Sequence, residues 1–293
     1  MPSSISRYRV DKLVQFGLAI LSYLTVALLV GILLVLLSNS LEAWREINLF
    51  DFLFGTDWNP SAFGEPAWGI ASLVVGTLMI AIFSLIIGVP FGLCIATYLS
   101  EIAAPRTREF LKPVVEMIAS IPSVILGLLG LLYLSPLVAN VFQLSNGINA
   151  MTASILVAIA ALPTIASISE DALSSVPNRL RESSLALGAT GWMTITRIVI
   201  PAAKRGIVAA IMLGLGRIIG ETMIVLMVAG NSRAFPHSLL DPVRPMTANI
   251  AIEIKEVVLG SLHWQSLFAI GLVLFLMTFA VNALADLLIN KKS

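Results

Sequence analysis

ESSLALGATGWMTITRIVIP, residues 182–201, is a polar segment flanked by Arg179, Arg181, Lys204 and Arg205 and set between long apolar runs. A bilayer requires no such segment. A membrane protein that must take up force from a soluble partner does require one. The internal pattern is helix, glycine, helix. Ser174 or Ser175 is suited to cap a helix and Pro177 to sit in its first turn. The helix then covers Asn178 to Leu187 and stops at Gly188, because glycine accepts the left-handed conformation. A second short helix is predicted from near Thr190 to just before Pro201, with Trp192, Ile195 and Val199 on one face. On physics alone, a helix pair lying on the membrane surface fits residues 174–205 as well as a docking element does.

The composition around this segment explains why it stands out. Of 293 residues, 58% are hydrophobic and only 12% are charged. A soluble domain carries about 25% charged residues, so lipid must be the solvent for much of the surface. The net charge of +1 gives no pull toward nucleic acid. A single cysteine, Cys94, excludes an internal disulfide and a cysteine metal cluster, and its apolar surroundings make it a small packed residue. His237 and His263 are too isolated to suggest a metal site.

A spanning helix needs about 20 mostly apolar residues. Six stretches qualify: 16–37, 69–99, 114–136, 149–169, 206–230 and 265–288. The first is too long for a signal-peptide core and is followed by no small-residue cleavage site, so it reads as a retained span. Ser135-Pro136 through Gly147 supplies the turn signals between the third and fourth. With the N-terminus inside, thirteen basic residues gather on the inner face and four (Arg45, Arg233, Arg244 and Lys255) on the outer face. Such asymmetry places both termini in the cytoplasm. Two outer loops are long. Residues 38–68 carry Trp44, Trp58 and Trp68, either as an interfacial belt or as a docking surface, and the helical spacing of Ile250, Ile254, Val257 and Val258 in 231–264 predicts a short interfacial helix.

The spacing at the opening segment resembles a known family. Binding-protein-dependent ABC importers share an "EAA loop" of the form E-A-A-x3-G-x9-I-x-L-P. Glu182, Ser183, Ser184, Gly188, Ile198, Ile200 and Pro201 occupy those positions, with Ser-Ser for Ala-Ala and Ile for Leu. In that family the loop docks into a separate ATPase, which implies coupling roles for Arg179, Arg181, Glu182, Gly188, Ala189 and Thr190. The chain has no G-x-x-x-x-G-K-[ST] phosphate loop. ATP and magnesium would therefore serve the partner, with no cofactor on this chain. There is no nucleophile–base arrangement, so an enzyme is not expected.

Gly214 to Asn231, GLGRIIGETMIVLMVAGN, carries Arg217 and Glu221, four residues apart and hence on one face of a continuous helix. A charge deep in a span costs about 2.5–3.5 kcal/mol on insertion scales. The two either form a structural ion pair or line a polar path. Arginine offers a planar fork to an oxyanion. A carboxylate beside it repels anions unless the anion carries a proton, as hydrogen phosphate does and sulfate does not. Glu116 is expected to pair with a neighbouring helix or line an inner gate. Pro122 is expected to break the third span near a gate, and Asn231 closes the motif.

GRIIGETMIVLMVAGN is similar to the GRAxGETMAVxMVAGN stretch of PstC-type permeases of phosphate importers. FLFGTDWNP (52–60), YLSEIAAPRTREFLKP (98–113), IPSVILGL (121–128) and LPTIASISEDAL (162–173) extend the likeness. The sister PstA-type permease typically follows its GET with Ala-Pro-Leu, where this chain has Met223-Ile224-Val225. The resemblance implies an all-α multi-pass protein of a bacterial inner membrane with the type I ABC importer permease fold. An N-terminal tail, span and outer loop (1–67) would precede a permease core (68–290). Its implied partners are a sister permease, two ATPase subunits, an extracytoplasmic phosphate-binding protein and membrane lipid. Alternatives are a permease for sulfate or molybdate, the PstA-type sister, and a phosphate-sensing scaffold that transports nothing. Tests of the phosphate reading are an uptake assay and substitution of Arg217.

Overall fold

The computed structural model describes residues 4–62 and 64–290. Lys291 and Lys292, counted above for orientation, lie outside them. In chain order the helices are α1 (Ser4–Ser40), α2 (Ala43–Glu46), α3 (Leu49–Phe54), α4 (Ala71–Thr97), α5 (Pro105–Ala119), α6 (Ser123–Leu129), α7 (Ser135–Phe142), α8 (Ala150–Ser174), α9 (Asn178–Ala186), α10 (Gly191–Thr194), α11 (Ile200–Ala202), α12 (Lys204–Ile219), α13 (Met223–Val228), α14 (Met246–Glu253) and α15 (Leu262–Asn290). Wider π turns at Tyr98–Ile102, Gly130–Leu134 and Ile195–Val199 extend or join helices. Among the described residues, five helices or joined helices are long and apolar enough to cross a membrane. A sixth results if Gly191–Ala202 and Lys204–Ile219, bent by 69°, count as one.

Two predicted spans differ from what is observed. The stretch 114–136 is not one helix. Charged Arg106, Arg108, Glu109, Lys112 and Glu116 make α5 a separate amphipathic helix, and Pro122 breaks the chain before a span at Ser123–Phe142. The stretch 206–230 is also divided. α12 has 16 residues, about 24 Å of helix against a hydrocarbon core of about 30 Å. Gly220-Glu221-Thr222 interrupts it before α13, because glycine and a following β-branched residue give the helix little local support.

α4 and α8 form the centre. Ser84, Gly88, Gly92 and Ala96 recur every four residues along α4 and are all buried. In lipid, where apolar burial between helices gains little, such small residues let two backbones approach and pack. A Cβ on Gly92 would lie 2.7 Å from Ile165 Cγ2 of α8, and Ser84 Oγ donates to Ser154 O of α8 at 2.9 Å. Pro90 and Pro163 lie within α4 and α8, which remain single helices. Cys94 faces outward rather than inward. α1 packs against α15, where Gly271 leaves room for Leu36.

A small lobe caps the end where α1 finishes and α4 begins. A hairpin pairs Trp58 (β1, Trp58–Asn59) with Trp68 (β2, Ala67–Trp68). Phe52 and Trp58 are fully buried, and Trp44 meets Phe52 edge-on at 5.1 Å. The tryptophans therefore build an internal core rather than a belt. Residues 246–253 form α14, whose Met246, Ala248, Asn249 and Glu253 are buried, so this helix is part of the lobe rather than a free interfacial element.

Gly55 and Gly69 are pressed together inside the lobe, and a Cβ on Gly69 would lie 2.6 Å from Gly55 Cα with still closer contacts to that peptide. Gly69→Ala is expected to destabilise the chain by about 1–3 kcal/mol, the usual cost of overpacking. Gly31→Ala, where nothing lies within 4 Å, is the control. Unfolding midpoints in detergent measure both.

Candidate substrate path and coupling surface

Arg217 lies in the last turn of α12, two residues before the helix ends. Its Nε donates to the Ala160 carbonyl of α8 at 2.9 Å. Pro163 of α8 lacks the N–H that would have reached the adjacent Ile159 carbonyl. Arg217 is exposed on a face shared with Leu213, Gly216 and Gly220, and among the described residues nothing bonds its two terminal amino groups. A planar pair of donors is therefore presented to the open side of the span.

Glu221 is not on the same helix face as Arg217, because α12 ends between them, and no ion pair joins the two among the described residues. Its carboxylate instead accepts from Ile224 N, in the first turn of α13, at 3.2 Å. The backbone groups of the break are held by hydroxyls: Thr222 Oγ1 donates to Gly220 O at 3.2 Å and Thr247 Oγ1 to Glu221 O at 3.0 Å. Asn231 has φ +54 and ends the segment. Its side-chain amide donates to Leu226 O at 2.8 Å and its backbone carbonyl accepts from Arg244 Nε at 2.9 Å. Glu116 lies on α5, exposed, and accepts from Ser167 Oγ of α8 at 3.3 Å, while Pro122 immediately precedes α6 at the chain break.

At the opposite end from the lobe, residues 174–205 form the helix–glycine–helix unit. Neither Ser174 nor Ser175 caps α9: Ser174 completes α8, and Pro177 precedes α9 directly. Gly188 has φ +86, the left-handed stop expected of it. Thr190 caps α10 by accepting from Met193 N at 3.3 Å, and Ala189 N donates to Ser184 O at 3.2 Å. Ser184 Oγ and Thr194 Oγ1 lie 2.9 Å apart and tie α9 to α10. The second helix continues through Pro201, because the π turn at Ile195–Val199 accommodates it. Ile195 and Val199 are buried, whereas Trp192 is 66% exposed.

The outward surface of this unit carries Arg179, Glu182, Leu185 and Trp192, with Leu187 at its tip, 89% exposed. Leu187 and Leu185 were missing from the sequence-based set, although two leucines within a polar segment were a visible signal. Arg181 points inward to Glu101.

Two charge clusters could not be read from spacing. Glu170, fully buried at the end of α8, is bound by Arg108 and, at 2.6 Å, by Lys112, both from α5. Hydrogen bonds to Glu170 and Asp171 hold the Lys112 ammonium above the ordinary lysine value. In the lobe, buried Glu253 accepts from Trp58 Nε1 at 3.0 and 3.1 Å and from Arg244 at 3.1 Å, with His263 Nε2 at 2.9 Å and Arg233 at 3.6 Å. Burial, and then the neighbouring Arg233, hold the Arg244 guanidinium below its ordinary value.

A mainly helical membrane protein with a broken polar span and an exposed helix–glycine–helix at one end has the architecture of a transport permease. Solved structures share that fold. A bacterial alginate ABC transporter, in complex with an alginate pentasaccharide-bound periplasmic protein, matches 97% of this chain and 97% of its own, with a TM-score of 0.65 at 15% identity. The inward-facing MetNI methionine ABC transporter matches 77% of this chain and 94% of its own, with a TM-score of 0.57 at 20% identity.

Residues 88–293 match the family described as binding-protein-dependent transport system inner membrane component, and the chain belongs to that family. Within it, the phosphate transport system permease protein PstC of Haemophilus influenzae is 36% identical over 288 residues, 90% of each chain. A probable ABC transporter permease, YqgH of Bacillus subtilis, is 36% identical over 233 residues, 80% of this chain and 75% of that one.

Proposed function

We propose that this chain is the PstC-type permease subunit of an ATP-driven importer of inorganic phosphate in a bacterial inner membrane. It would cross six times, with both termini cytoplasmic. The near-full-length likeness to PstC permeases carries the reading. A sister permease completes the path, two ATPase subunits bind and hydrolyse ATP with magnesium, and an extracytoplasmic binding protein delivers phosphate to the lobe.

The residues of this chain have separate tasks in that scheme. ATPase closure displaces residues 178–200, and the permease halves alternate between outward and inward access. ATP must favour one arrangement over the other, or nothing moves. Phosphate passes the break in the fifth span. The free ends of the Arg217 fork offer charge-assisted hydrogen bonds to its oxygens. Glu221, within the break, accepts from the proton of hydrogen phosphate and repels anions that carry none.

ATP-dependent uptake of labelled phosphate into proteoliposomes containing the complete complex tests the reading, with sulfate as competitor. Uptake that needs ATP and resists sulfate is expected. Sulfate that competes as well as unlabelled phosphate would overturn the assignment of cargo. The coupling surface has its own test. Leu187→Asp places a charge where an apolar tip is expected to enter a groove of the ATPase. Co-purification of the ATPase is expected to fall about tenfold or more, as for the loss of a central interface contact, without loss of permease folding.

A further inference from the structure

Arg181 was expected to belong to the docking surface, but all its donor groups are used within the chain. Nε and Nη2 grip the Glu101 carboxylate at 3.0 and 2.7 Å. Nη2 also donates to Leu173 O at 2.9 Å, and Nη1 donates to Val176 O and to Asn178 Oδ1. The pair is sheltered, the side chains of Arg181 and Glu101 being 19% and 7% exposed. Each partner sits on a different element. Arg181 is in the first turn of α9, Glu101 lies in the π turn that extends α4, and Leu173 is in the last turn of α8.

We propose that Arg181 is a strut that carries displacement of α9 into the spans α4 and α8. The proposal rests on the reading of residues 174–205 as the ATPase-coupling element. Without a strut, the link Ser175-Val176-Pro177 between α8 and α9 would be free to hinge. A push on α9 would then be absorbed at that link instead of moving the spans. A bidentate guanidinium–carboxylate grip fixes orientation as well as distance. The added bonds to Leu173 and Val176 carbonyls fix the link itself. α4 and α8 are the two helices packed through the small-residue stripe, so moving their ends together moves the centre of the permease as one body. Arg179, two residues earlier and exposed, has no such grip among the described residues.

The test uses the complete importer in proteoliposomes and reads two quantities: ATPase co-purified with the permease, and phosphate taken up per ATP hydrolysed. Arg181→Met is expected to retain the ATPase while uptake per ATP falls about tenfold, within the usual span of coupling between sites. Glu101→Gln, which keeps the shape and loses the charge, is expected to lower uptake per ATP in the same direction. Arg181→Lys, with charge but no fork, should fall between wild type and Arg181→Met. The proposal is overturned if Arg181→Met sheds the ATPase while the complexes that remain transport normally per ATP, which would make Arg181 a docking contact. It is equally overturned if both quantities are unchanged. Retention of the ATPase by Leu187→Asp would instead remove the coupling reading on which the strut depends.

Discussion

Glu253→Leu is expected to produce the largest loss of stability of any single substitution in the lobe. The carboxylate is buried and is approached from three elements: Trp58 of the hairpin, 195 residues away, Arg244 from the segment before α14 and His263 of α15. Removing it leaves the Arg244 charge, itself mostly buried, without its partner. Breaking a buried pair from one side typically costs about 3–5 kcal/mol, since the remaining charge keeps its desolvation penalty. The indole N–H of Trp58 is orphaned at the same time. Chemical denaturation of the detergent-solubilised chain is the measurement. A midpoint equal to wild type would mean that the aromatic core holds the lobe by itself.

Arg217→Ala is expected to have the largest effect on transport. The side chain offers charged donors to the open face, and hydrogen bonds to a charged group contribute about 1.5–3 kcal/mol each. Losing one such interaction at the point of passage corresponds to roughly a 10–100-fold fall in uptake. Arg217→Lys restores charge without the fork and should recover only part of it. Co-purification with the other subunits should be unchanged, because the one bond lost within the chain is to a carbonyl, Ala160 O. Full uptake by a correctly assembled Arg217→Ala complex would refute the path.

The sequence carried the local features well and the long-range ones poorly. Four apolar runs became helices close to where they were predicted, and Gly188 ended its helix as its lack of a Cβ suggested. α5 reads as the start of a span because its apolar residues continue the hydrophobic run of α6; the break expected at Pro122 is where the span begins. The break at Gly220 was hidden because Ile218, Ile219 and Met223–Val228 are apolar on both sides of it. Once that break is known, Arg217 and Glu221 separate into different tasks. The role of Arg181 was out of reach, since Glu101 lies eighty residues away and only folding brings the two elements together. The same holds for Glu253 and Trp58, which lie 195 residues apart.

The interruption between α12 and α13 also acts as a compass. Interrupted backbone is tolerated at membrane depth only where protein or water surrounds it. The side of the molecule that bears Gly220 must therefore turn away from the acyl chains. Residues 14–37 of α1, apolar and mostly exposed, make the opposite demand. The two faces therefore differ in what they tolerate: lipid can cover α1, whereas protein or water must cover the face that bears Gly220.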